Sequence, residues 1–130
     1  MSVSRTSNFR RSNEHFEPEA ASDPHAQRKL RGQLEQIDYT AYASNREVIA
    51  QGLGATDAQK FQRLGVAAAL ARTRWVAAAL AFTETAHAPS HDQIEKLAQL
   101  RRVYEELTEV YDAMRRMVER GYLTYVSAPA

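Results

Sequence analysis

Cysteine is absent from the 130 residues, which removes disulfides, thiolate metal sites and cysteine nucleophiles together. Neither sign of charge is in excess. Seventeen Lys and Arg stand against 16 Asp and Glu, for a formal net charge of +1. That balance argues against a polyanion binder working through bulk charge and leaves room only for a local basic patch. No uncharged apolar run approaches the ~20 residues needed to cross a bilayer, and there is no apolar h-region of a secretory signal. A cytoplasmic chain without a membrane span is therefore expected. Glycine is sparse, at five residues, and forms no phosphate-cradling loop. Gly52-Leu53-Gly54 lacks both a preceding strand and a third glycine, so it reads as a helix cap and loop. A Ser/His/Asp set on a recognisable elbow and an H-E-x-x-H pair are also missing. So is a convincing helix-turn-helix: the Gly52–Thr56 turn is short enough, but its flanking helices are too long and the second is alanine-rich. The chain is expected not to be an enzyme and to need no cofactor.

What is present suits one helical domain with tails. Residues 1–22 read as a disordered N-terminal arm, rich in Ser, Thr and Asn and with little that could enter a core. Its charge is blocky: Arg5, Arg10 and Arg11 precede the first acid, Glu14. The simplest reading is a solvated terminus. A Ser/Arg-rich, acid-poor opening also fits a mitochondrial transit peptide, although the amphipathic stripe is missing. With Arg28, Lys29 and Arg31 it also fits a basic arm for nucleic acid.

Residues 23–121 read as a helical bundle, with helices at about 23–51, 56–87 and 91–120 and a tail at 122–130. In the first helix, Ser22 is the expected N-cap and Pro24 falls in the first turn. Leu30, Leu34, Ile37, Ala41, Ser44 and Val48 recur at alternating spacings of four and three, a seam of heptad type. Gly52 and Gly54 end the helix. Thr56 is the expected cap of the second helix, with Asp57 complementing its dipole. Ala88-Pro89-Ser90 breaks the chain again, because the residue before proline is biased out of the helical region. Ser90 and Gln93 are placed for a capping box on the third helix. That helix carries the stripe Ile94, Leu97, Leu100, Tyr104, Leu107, Tyr111, Met114 and Val118, widened by Val103, Val110 and Met117. On its outer face Arg101 and Glu105, Arg102 and Glu106, and Asp112 and Arg116 are spaced for i,i+4 pairs. Gly121 is the expected C-cap, with Tyr122 and Leu123 folding back on the last turn. Residues 122–126 alternate weakly and are expected to form an extended tail, with a short strand as the alternative.

The second helix is the distinctive one. One apolar stripe is Phe61, Leu64, Ala68, Ala71, Trp75, Ala78 and Phe82; another is Val66, Leu70, Thr73, Ala77 and Leu80. At the helical angle per residue the two point to nearly opposite sides. A helix apolar on two sides should be buried on two sides, as the central element of the protein or as the seam of an oligomer. A flank left bare, with no neighbouring chain against it, would remove the basis of an interaction role. The repeated VAAALA at 66–71 and 76–81 is alanine packing; ten residues are too few for a duplicated unit. The expected class is all-α: an elongated antiparallel three-helix bundle, or a helical hairpin with a third arm, with coiled-coil-like packing.

Candidate chemistry is thin. Glu84 and His87 form an E-x-x-H pair, with His91 and Glu95 just beyond; in ferritin-like bundles such a pair contributes to a two-metal site. Pro89 interrupts the helix between the histidines, only one such pair occurs, and a solvated helix end is the preferred reading. Arg72, Arg74 and Trp75 have the types for an anion pocket. The preferred reading is that the arginines lie along the helix borders and pair with Glu105, Glu106 or Glu109. The expected role is a small interaction protein that self-associates or docks on a larger protein, with Trp75, Phe82, Leu70, Tyr104 and Tyr111 as anchors. Trp75→Ala should then cost ~3–5 kcal/mol if the ring is fully buried. The alternatives are a nucleic-acid accessory protein using Arg5, Arg10, Arg11, Arg28, Lys29 and Arg31, and a metal-dependent enzyme built on Glu84, His87, His91 and Glu95.

Overall fold

The structure, a computed structural model, describes residues 23–127; Arg5, Arg10 and Arg11, with the expected arm, lie outside the described residues. Among those described there are three long helices: α1 (Pro24–Leu53), α2 (Ala58–Thr85) and α3 (His91–Glu119). Two short strands, β1 (Thr56–Asp57) and β2 (Tyr125–Val126), complete the order α1-β1-α2-α3-β2. The chain is all-α in class, as its periodicity predicts. It divides into two units, one up to Ser44 and one from Asn45 onward, and α1 runs through the division.

In the first unit the cap falls one residue later than expected, at Asp23 in place of Ser22. Asp23 accepts the first helical bond from the Gln27 N–H, and its side chain accepts from the His25 N–H at 3.0 Å. Asp23 is therefore the N-cap and Pro24 the first helical residue, where its missing N–H costs nothing. The heptad seam is open: Leu30, Leu34 and Ile37 are each at least half exposed.

The second unit is built on an antiparallel α2/α3 hairpin. Phe61, early in α2, meets Tyr111, late in α3, and Trp75, further along α2, meets Tyr104, which lies earlier in α3. Asp57, not Thr56, caps α2, its carboxylate accepting from the Lys60 N–H at 3.0 Å. Thr56 is engaged elsewhere: its hydroxyl is turned to the Met114 sulfur at 3.8 Å, and its N–H donates to the Thr124 carbonyl at 2.8 Å. Ser90 and Gln93 form the capping box of α3 in both directions. The α2 helix stops at Thr85, with Ala86 already extended, earlier than the proline alone requires.

At the far end of α3 the C-cap is Arg120, one residue before the expected Gly121, and Gly121 takes φ 80°, the left-handed position just past the cap that glycine fills without a Cβ penalty. The Gly121 N–H donates to Val118 and the Tyr122 N–H to Met117, so the last carbonyls of α3 are satisfied. The chain turns back, and Leu123 becomes one of the two buried apolar residues among those described, the other being Ala71. The segment after it is not a loose tail. β2 pairs in parallel with β1, Thr56 opposite Tyr125 and Asp57 opposite Val126. Thr56 is buried beneath this pair, with its hydroxyl near the Met114 sulfur.

The first apolar stripe of α2 is the one that packs on α3. Phe61, Leu64, Ala68, Trp75, Ala78 and Phe82 are half-buried and Ala71 is buried. The opposite stripe is not covered. Val66, Leu70 and Leu80 are 51%, 49% and 62% exposed, and Thr73 and Ala77 lie open beside them. The expectation that α2 is sandwiched within its own chain is therefore corrected; of the two covers expected for this flank, only a neighbouring chain at the seam of an oligomer is left to sustain an interaction role. A two-helix hairpin offers α2 a single neighbour, and one neighbour covers one stripe.

Candidate interaction surface

Four of the five expected anchors are on the hairpin seam. Trp75 stacks on Tyr104 with centroids 5.9 Å apart and planes 20° from parallel. Tyr111 and Phe61 meet in a T-shaped pair with centroids 5.4 Å apart, and Tyr125 approaches the same phenylalanine at 6.2 Å. Phe82 is half-buried on the same side of α2. Their large rings are spent holding α2 to α3. Leu70 alone of the five points away from the seam.

The outward apolar surface is made of smaller aliphatic side chains. On α2 it is Val66, Leu70 and Leu80; on α3 it is Val103 and Val110, seven residues apart and about half exposed. On α1 it is the seam Leu30, Leu34, Ile37 and Ala41, which lines a shallow groove with Gln33 and Thr40 at its borders. The seam was visible in the spacing of α1. What spacing could not say is that Leu30, Leu34 and Ile37 stay at least half exposed, because exposure depends on which neighbours the chain supplies.

The arginines of α2 do not form an anion pocket. Arg72 and Arg74 project to opposite sides of the helix at two residues' separation. Arg72 lies over the Tyr104 ring, 5.9 Å from its centroid, a cation–π contact on a solvent-exposed edge. The expected pairing with Glu105, Glu106 or Glu109 does not form among the described residues. Both arginines are exposed, so no desolvation forces a carboxylate on them. Of the three expected i,i+4 pairs on α3, Arg101 and Glu105 meet, at 3.7 Å.

Glu84 stands in the last turn of α2, His87 in the connection, and His91 and Glu95 in the first turns of α3; all four are exposed. Among the described residues no three His, Asp or Glu side chains come close enough to hold a metal ion. Arg28, Lys29 and Arg31 are exposed in the first turns of α1.

By length and composition α2 qualifies as long and apolar enough to cross a membrane. The expectation of no such segment counted uninterrupted runs, and Arg72 and Arg74 interrupt this one. Those same arginines fall near its middle, where each would cost roughly 2.5–3.5 kcal/mol to insert. The alanines that fill the rest return little.

Comparison with known protein families, curated proteins and solved structures finds no match.

Proposed function

We propose that this chain is a protein–protein interaction module, acting by helix-on-helix burial with further copies of itself or with a larger protein. One observation carries the reading. Among the described residues almost no large apolar side chain is fully buried, while each of the three helices described holds a row of valines, leucines or isoleucines in the open. Stability of a small domain comes from apolar area removed from water. Contiguous exposed apolar rows mark surfaces that another chain covers. The second flank of α2 then becomes the seam of an assembly, with Leu70 at its middle and Val66 and Leu80 on either side. The aromatic residues Trp75, Phe82, Tyr104 and Tyr111 hold the platform and do not touch the partner.

The test is the mass of the full chain in solution, with crosslinking and mass spectrometry on the tagged full chain expressed in its native cell. A mass above the monomer, or one protein crosslinked stoichiometrically through α1 or the open flank of α2, supports the reading. A monomer at all concentrations that crosslinks to nothing overturns it. In either case Leu70→Glu with Leu80→Glu should leave the helix content and the Trp75 emission unchanged, since neither residue is on the hairpin seam.

A further inference from the structure

We infer that the seam of α1 pairs with the same seam of a second copy, antiparallel and about a twofold axis that passes near Glu35 and Gln36. This rests on the interaction reading above and names one of its surfaces and that surface's occupant.

The seam Leu30, Leu34, Ile37 and Ala41 alternates spacings of four and three, which assigns Leu34 and Ala41 to the first core position of the heptad and Leu30 and Ile37 to the fourth. Leu30, Leu34 and Ile37 are 55%, 50% and 62% exposed on one face of a regular helix. The residues flanking that face decide the orientation. Arg31 and Asp38 occupy the same flanking position one heptad apart, and Gln33 and Thr40 occupy the other. In an antiparallel pair, like flanks face each other across the seam. With Leu34 level with Ile37 of the second copy, Arg31 of each copy falls beside Asp38 of the other, twice by symmetry. The uncharged Gln33 and Thr40 face each other on the far side. The same register sets Leu30 against the small Ala41 of the other copy at both ends. Large packs on small while leucine and isoleucine fill the centre. A parallel pair does neither: Arg31 would face Ala26 and Asp38 would face Gln33, and Ala41 would sit on Ala41. Gly32 and Tyr39 lie on the helix's outer side in this scheme, clear of the seam. Charge complementarity at flanking positions sets partner and direction in helix pairs.

The experiment uses the full chain and measures its mass by sedimentation equilibrium. The wild type should be dimeric, or of even higher order. Arg31→Glu places two acids face to face at each end of the seam, and Asp38→Arg places two bases there. Either should weaken self-association about tenfold, at low salt most of all. The double variant Arg31→Glu/Asp38→Arg should restore it. An equimolar mixture of the two single variants should associate better than either alone, because every facing pair is then opposite in sign. Helix content of every variant, read by circular dichroism, keeps a folding defect from passing as a binding defect. A monomeric wild type overturns the inference. So does a dimer indifferent to all the charge changes and to Ile37→Glu, but that result leaves the interaction reading standing on the α2 flank. If the wild type is monomeric, the crosslinking arm above decides the broader reading independently.

Discussion

Trp75 is half-buried and, among the described residues, stacks on the ring of Tyr104. The cost of Trp75→Ala therefore falls below the value for a core tryptophan, to about 2 kcal/mol in a urea titration followed by circular dichroism. Gly65 gives the opposite sign. It sits inside α2, and a Cβ built there would meet only the Tyr111 ring, at 3.6 Å, an ordinary contact. Gly65→Ala should stabilise the chain by about 0.5–1 kcal/mol, read as a higher denaturant midpoint, because alanine loses less backbone freedom in a helix. At this scale the sequence was legible where one residue's chemistry decides the outcome, as at Ser90, Gln93 and Gly121. It misled where two residues competed for a role. Thr56 and Asp57 are both good caps, and what separates them is tertiary: Thr56 is buried with its hydroxyl turned to Met114, while the Asp57 carboxylate meets the Lys60 N–H.

The helices themselves were readable, since each is long and strongly periodic, and so was the stripe by which α2 meets α3. The strand pair was not. Two residues of weak alternation at 125–126 carry too little pattern to announce a partner 69 positions away. The clue available was the run Tyr122-Leu123-Thr124-Tyr125-Val126, whose residue types favour extended backbone. Its importance follows from burial. Leu123 is 3% exposed and Thr56 2%, and few of the described residues are buried so deeply. Leu123→Ala should cost about 2–4 kcal/mol in the same titration. It should also raise amide exchange at Thr56 and Leu123 more than at Trp75, since the pair would open before the hairpin does. Equal protection at all three sites would show that the strands add nothing to this end of the fold.

Across the molecule, the outer faces of the helices decide behaviour. An assembly that buries them makes unfolding depend on chain concentration. The melting temperature of the full chain should rise by several degrees over about a hundredfold increase in concentration, and the rise should vanish for Ile37→Glu. A melting curve independent of concentration would speak for a monomer. The candidate surface was half legible in the sequence. The two flanks of α2 and the seam of α1 are plain in the spacing, but which of them the chain covers for itself is settled only by packing. The large aromatics suggested partner contacts because rings are common at interfaces, yet a hairpin with few other bulky residues needs them at home. The clasp between β1 and β2 has a practical corollary. A rigid domain inserted directly after Val126 would pull on the two-residue ladder that shuts the hairpin, so insertions are better placed elsewhere.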